Sequence, residues 1–362
     1  MKKINTLLVA FTLASLFLTS CSKDDPADPS DTGLTNEQIQ NNILNDFSYK
    51  VALASYQDME NKMNAFYTQC VALDATPNQS NLDNSRQAWK DVRGTWEKTE
   101  AFLFGPVATN NIDPSTDTWP VDYNALDSLL NTGNAFTQSY MNTLGDELKG
   151  YHPSEYLLWG VNGSKAPSDF TSREREYLVA LAADLQIKAT SLRTSWDPAV
   201  TDNYLNEIIH AGHANSIYSS QRAVFEEMVN GMIGICDEVA NGKMFDPFTA
   251  ADPSLEESPF SQNSLTDFKN NITGVKNVYF GKFLEDGYGI NDFLAKNNLA
   301  LHNTISSEIE NAINSFNGIT VPFGQAITSQ PTQVQHVMTQ INTLKNTLEN
   351  DLLPFVQQTI VN

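Results

Sequence analysis

Cysteine, histidine and positive charge are all scarce in this chain. Its 362 residues include three cysteines and five histidines, and 22 lysines and arginines stand against 43 aspartates and glutamates. No CxxC pair occurs, which excludes a zinc ribbon. There is no HExxH, GxSxG, P-loop or Rossmann fingerprint either, so the common signatures of zinc hydrolases, serine hydrolases and nucleotide-binding proteins are missing. A formal net charge of −21 at pH 7 repels nucleic acid and anionic head groups. No apolar run reaches the ~20 residues that a helix needs to cross a bilayer.

What is present starts with an export pattern. Lys2 and Lys3 precede a short apolar run over residues 7–18, and Leu18-Thr19-Ser20-Cys21 resembles a lipobox. Residues 1–20 therefore read as a lipoprotein signal peptide, and Cys21 as the site of lipid attachment. Residues 21–34, rich in Asp, Pro and Ser, read as a flexible acidic tether. An acidic run directly after the cysteine resembles the surface-export signal of Bacteroidetes-type lipoproteins. The expected location is the cell envelope: an outer-membrane lipoprotein facing the periplasm or the cell surface, held to the membrane by its lipid anchor. Cys70 and Cys236 fall in apolar helical stripes and read as buried free thiols.

The rest of the chain carries the helical period and almost no strand signal. In residues 37–74, apolar side chains recur every three to five positions, through Ile39, Ile43, Phe47, Val51, Tyr56, Met59, Met63, Phe66 and Cys70. Residues 80–104 repeat the pattern through Trp89, Val92, Trp96 and Leu103. Leu126, Leu129, Phe136 and Tyr140 predict a third helix, and Tyr177, Leu181, Leu185 and Leu192 a fourth. Four more stripes cover residues 204–239, 268–283, 293–316 and 334–352. Pro198, the segment 247–259 and the segment 318–331 punctuate them. This pattern predicts an all-α fold of two four-helix bundles, over residues 35–197 and 198–362, packed side by side with a groove between them.

The two halves also resemble each other. Asn84-Ser85-Arg86-Gln87-Ala88-Trp89-Lys90 parallels Asn263-Ser264-Leu265-Thr266-Asp267-Phe268-Lys269. Gly150-Tyr151-His152-Pro153-Ser154-Glu155-Tyr156-Leu157 parallels Gly287-Tyr288-Gly289-Ile290-Asn291-Asp292-Phe293-Leu294. The shared order points to duplication, with extra residues in the first half around the 105–122 loop. His152 has glycine as its counterpart, so the fold does not need an imidazole there. His152 and Glu155 are three residues apart on one helical face, and imidazole with carboxylate is a ligand pair for iron or zinc. The bland alternative is an ordinary helix start with a hydrogen-bonded histidine.

Two charges interrupt the tryptophan stripe of residues 80–104. Arg93 and Glu100 share the inward face of Trp89 and Trp96, and buried charges need partners. Either they form a structural ion pair, or Glu100 is a third ligand beside His152 and Glu155 while Arg93 orients a carboxylate. His210 and His213 form an HxxH pair with no carboxylate on the same turn, and read as non-ligating histidines of the fifth helix.

Three segments then resemble one family. The stretch from Gly150 to Gly160 is similar to the GxHxxE signature of imelysin-like proteins. Trp96-Glu97-Lys98-Thr99-Glu100-Ala101-Phe102-Leu103-Phe104-Gly105-Pro106 resembles the tryptophan–glutamate–FGP segment upstream of it, and the stretch from Glu257 to Phe268 resembles the second-half signature. The resemblance implies two related helical bundles with a site in the groove between them. It implies a divalent metal, iron or zinc, at His152, Glu155 and Glu100. Arg93, Glu257, Ser258, Ser261, Asn263 and Asp267 would surround that site. It further implies a role in iron or haem acquisition, with an outer-membrane uptake system as partner. The family label of metallopeptidase is the enzymatic alternative, although no base and water pair is evident beside His152. A metal-free surface interaction protein is the third reading.

Overall fold

The computed structural model describes residues 33–360. The predicted signal peptide, Cys21 and nearly all of the tether lie outside the described residues. From Leu34 onward the chain forms one compact unit. Every regular element among the described residues is helical. No helix there is long and apolar enough to cross a membrane.

Eleven helices matter for the site. In the first half they are α1 (Asn36–Asp46), α2 (Ala54–Ala75), α3 (Gln79–Thr99), α4 (Ile112–Asp117), α5 (Tyr151–Trp159) and α6 (Ser172–Trp196). In the second half they are α7 (Gln221–Glu238), α8 (Ser264–Phe280), α9 (Ile290–Asn297), α10 (Leu299–Ser315) and α11 (Pro331–Thr347). Their starts are written in the sequence. Thr35 and Thr171 close capping boxes with Gln38 and Glu174, and the side chains of Asn78 and Ser220 cap α3 and α7. α2 packs against α3 and α6, while α7 and α8 pack with α10 and α11. The seam between these groups is the long contact of α3 with α8. Gly274 makes it close, since a Cβ there would sit 2.4 Å from the Lys98 carbonyl oxygen.

The stripes bury as expected. Trp89, Val92 and Trp96 are inside, as are Cys70 and Cys236, which are free thiols. Three stripes are less continuous than their periodicity predicts. The third helix is two short pieces, Tyr123–Leu130 and Gln138–Met141, because Asn131, Thr132 and Gly133 favour a turn between them. The 204–239 stripe ends at Ile209 and resumes at Gln221. Gly212 turns the chain there with φ +88°, so His210 and His213 lie in a turn and not on a helix. Asn298 ends α9, and its side chain caps α10. Residues 47–53, 239–243 and 348–352 are π-helical turns within longer helical runs.

Candidate functional site

α3 carries Arg93 and Glu97 one turn apart on the face that meets α8. Both are fully buried, and the Arg93 Nη2 to Glu97 Oε1 distance is 2.6 Å. The same Nη2 donates to Glu257 Oε1 at 2.7 Å, and Nη1 donates to Asp117. Arg93 Nε is 3.9 Å from Asp267 Oδ1. One guanidinium thus faces four carboxylates drawn from four segments, which a planar fork of donors suits. Burial opposes its charge, but these carboxylates raise its pKa well above the ordinary value.

α4 supplies Asp117, where the halves of the cluster join. Trp96 Nε1 donates to Asp117 Oδ2 at 2.7 Å, and His152 Nε2 is 3.1 Å from Asp117 Oδ1. The approach of α5 to α4 requires glycine. Gly150 has φ +89°, and a Cβ there would lie 2.0 Å from the Thr116 carbonyl oxygen. The glycine of the GxHxxE pattern therefore lets His152 reach Asp117. His152 is fully buried with its ring 5.0 Å from that of Trp119. Its Nδ1 is 4.0 Å from Glu155 Oε2. Neither ring nitrogen completes an aligned hydrogen bond.

Glu155 reaches into the other half of the chain. Its Oε1 accepts from Ser261 N at 2.7 Å and Ser261 Oγ at 2.6 Å, and its Oε2 has no hydrogen-bond partner. Ser258 Oγ and Asn263 Nδ2 donate to Asp267 at 2.7 and 2.6 Å. All the second-half residues singled out from the sequence thus meet the cluster or its immediate supports. Glu100 follows α3 in a 3₁₀ turn, Glu100–Phe102. Asn271 Nδ2 donates to its Oε2 at 2.5 Å and to Glu97 Oε2 at 2.6 Å, and Lys243 Nζ is 3.1 Å from Glu100 Oε2.

The cluster is short of positive charge. The buried side chains of Glu97, Glu100, Asp117, Glu155, Glu257 and Asp267 meet two permanent cations, Arg93 and Lys243. Protons make up part of the difference. Burial, partly offset by Arg93, pushes Glu97 up to about 8. Burial, and then the neighbouring Glu97, raises Glu100 well above the ordinary value. Burial pushes Asp267 up to about 7, against the pull of Arg93. At Asp117 burial loses to Arg93, His152 and Lys243, which hold its carboxyl far below the usual range. Burial would lower the His152 pKa, but Asp117 and Glu155 outweigh it and raise it to about 9.

Two sets of ligand atoms, each within 4.8 Å of one another, could hold an ion: Asp117, His152 and Glu257, and Glu97, Glu100 and Asp117. The trio of His152, Glu155 and Glu100 is not one of them. The imidazole and Glu100 fall into separate sets that share Asp117. Asp117, Glu97 and Lys243 were missing from the sequence expectation. The i, i+4 spacing from Arg93 could have flagged Glu97, whereas nothing periodic marks Asp117. A cavity of about 470 Å³ opens onto Glu100, Asp117, Lys243 and Glu257, with Asp113, Trp119, Glu238 and Asp246 among its walls.

Comparison with known proteins places this chain in a family. Iron-regulated protein A of Synechococcus elongatus is 30% identical over 331 residues, covering 90% of this chain and 89% of that protein. The crystal structure of a Parabacteroides distasonis protein, provisionally named an iron-regulated protein A precursor, superposes with a TM-score of 0.78 at 27% identity. That match covers 91% of this chain and 96% of the other. An imelysin-like protein from Psychrobacter arcticum shares the fold at a TM-score of 0.73 and 11% identity, covering 90% and 97% of the two chains. The sequence pattern of the imelysin family (Peptidase_M75) matches residues 52–350. The chain belongs to the imelysin family.

Proposed function

We propose that this protein is a lipid-anchored envelope protein that binds a divalent metal, iron or zinc, and serves iron acquisition. The ion is held by His152, Asp117 and Glu257, with Glu155 and the Glu97–Glu100 pair beside it. One observation carries the reading: a buried cluster in excess negative charge sets His152 Nε2 3.1 Å from Asp117 and leaves Oε2 of Glu155 and Oε2 of Glu257 without hydrogen-bond partners. Buried polar atoms are rarely left so, and imidazole with carboxylates suits a first-row divalent ion. The iron-regulated relatives support the choice of iron. The anchor at Cys21 and an outer-membrane uptake system as partner belong to the same proposal. The test is metal analysis after equilibration with zinc or anaerobic ferrous iron, on the processed chain carrying Cys21→Ser. His152→Ala should lose the metal and keep its helix content by circular dichroism. If the wild type retains neither ion, the groove is a metal-free interaction surface.

The free Oε2 of Glu155 favours a second reading, in which it is the base of a metallopeptidase. We expect no cleavage of unrelated proteins near neutral pH, with or without zinc. Robust cleavage that Glu155→Gln abolishes would put the enzyme in place of the binding protein.

A further inference from the structure

We propose that Lys243 is a tethered counter-ion on the cavity side of the cluster, displaced by the incoming divalent ion. The proposal rests on the metal-binding reading above and concerns how the ion gets in. Lys243 ends the π-helical turn Val239–Lys243, a type of irregularity that recurs at functional sites. Its ammonium is 2.7 Å from Glu257 Oε1, 3.1 Å from Glu100 Oε2 and 3.4 Å from Glu238 Oε1. It therefore already occupies oxygens from both candidate ligand sets. It also lines the 470 Å³ cavity, as do Glu100, Asp117 and Glu257. Oε2 of Glu257, in a side chain with only 7% of its surface exposed, stays unpartnered there.

The two cations of the cluster differ in what they can do. Arg93 is fully enclosed, bonded to Asp117 and Glu257, and lies 5.2 Å from the centre of the Tyr151 ring. It cannot leave without opening the contact between α3 and α8. Lys243 is a point charge on a flexible four-carbon stem that lines the cavity. Glu238, half of whose side chain is in solvent, offers its ammonium a resting place at the cavity wall. A monovalent ion that replaced the ammonium would leave the charge of the cluster unchanged. Counted against the ammonium it replaces, a divalent ion brings one more positive charge. Lysine exchange thus gives a reason for the site to prefer divalent ions.

The test uses the processed chain carrying Cys21→Ser, with zinc as the probe. Acetylation of lysines by acetic anhydride, which releases acetate and is read by mass spectrometry, should rise several-fold at Lys243 on zinc saturation. Sodium in place of zinc should leave Lys243 at its zinc-free level. In calorimetric titrations, Lys243→Met should bind zinc about tenfold tighter than wild type, and Lys243→Arg no tighter. Zinc binding to the wild type with unchanged or reduced Lys243 acylation overturns the proposal and leaves the metal site standing. So does a Lys243→Met protein that folds but binds no tighter. If that variant does not fold, acylation of the wild type decides alone. If no zinc binds, anaerobic ferrous iron replaces it in the same acylation measurement, and if neither ion binds to any of these proteins the metal-binding reading falls and takes this proposal with it.

Discussion

Residues 150–157 and 287–294 begin from similar sequence and do different work. α5 starts at Tyr151, whereas α9 starts at Ile290, which pairs with Pro153. The earlier start places His152 in the first turn of α5, and its glycine counterpart, Gly289, precedes α9 as the cap. In α9 the acid is spent locally: Asp292 Oδ2 accepts from Gly289 N at 2.8 Å. In α5 the paired acid, Glu155, is free of capping and reaches Ser261 in the other half. The same contrast holds one layer away. The register that pairs Trp89 with Phe268 pairs Arg93 with Ile272, and both are fully buried. One half closes its core with apolar carbon where the other buries a guanidinium among carboxylates. Arg93 and Ile272 both fill fully buried space, and Arg93 alone brings a charge into it.

Substitution at the paired positions tests that division most severely. Arg93→Met removes the cation from four carboxylates, and breaking such a buried network costs about 3–5 kcal/mol. Ile272→Val, at the paired position, should cost only about 1 kcal/mol. Urea denaturation of both variants measures the difference, and equal costs would break the comparison. The acids should separate in kind. Glu155→Gln preserves an acceptor for Ser261 but loses charge, so zinc affinity should drop roughly 10- to 100-fold with little change in stability. Asp292→Ala should cost about 1 kcal/mol of stability as a lost cap and leave zinc affinity alone. A zinc effect from Asp292→Ala would show that the site extends into α9.

The smallest effect is one of pH. Between 6.5 and about 9 the folded, metal-free protein holds a proton on His152 that the unfolded chain has released. Glu97 does the same between 4.5 and about 8. Both groups bind more protons folded than unfolded, so metal-free stability should fall as pH rises from 6.5 to 9. Metal binding requires these protons to leave, so zinc affinity should rise over the same window. Melting temperatures with and without zinc at several pH values should therefore diverge. A parallel rise in both curves would remove His152 and Glu97 from the site.

Much of this was legible in the sequence. The helical period put Trp89, Val92 and Trp96 inside and carried Arg93 and Glu100 in with them, since a side chain on that face has nowhere else to go. The shared glycine-histidine-acid pattern located α5, and the second-half segment from Glu257 to Asp267 does meet it. Asp117 was hidden because α4 is a six-residue helix in an insertion, too short to show a period. Lys243 was hidden because it lies past the end of the 204–239 stripe, while the chain there remains helical in a wider turn. The clustered sets differ from the expected trio for a related reason. Spacing along a helix says which residues share a face, but it cannot show that Asp117, from another segment, meets both Arg93 and His152.

The two cysteines of the folded unit have a practical consequence. Burial raises the Cys70 thiol well above its ordinary pKa and pushes Cys236 up to about 12. Reagents that attack thiolates will pass over both while the helices stay closed. Residues 33–360 therefore supply a chemically silent background. A single cysteine placed on an exposed helix face could carry a spin label or fluorophore without interference. Conversely, modification at Cys70 or Cys236 would time the opening of the bundle around each, one clock in either half of the chain.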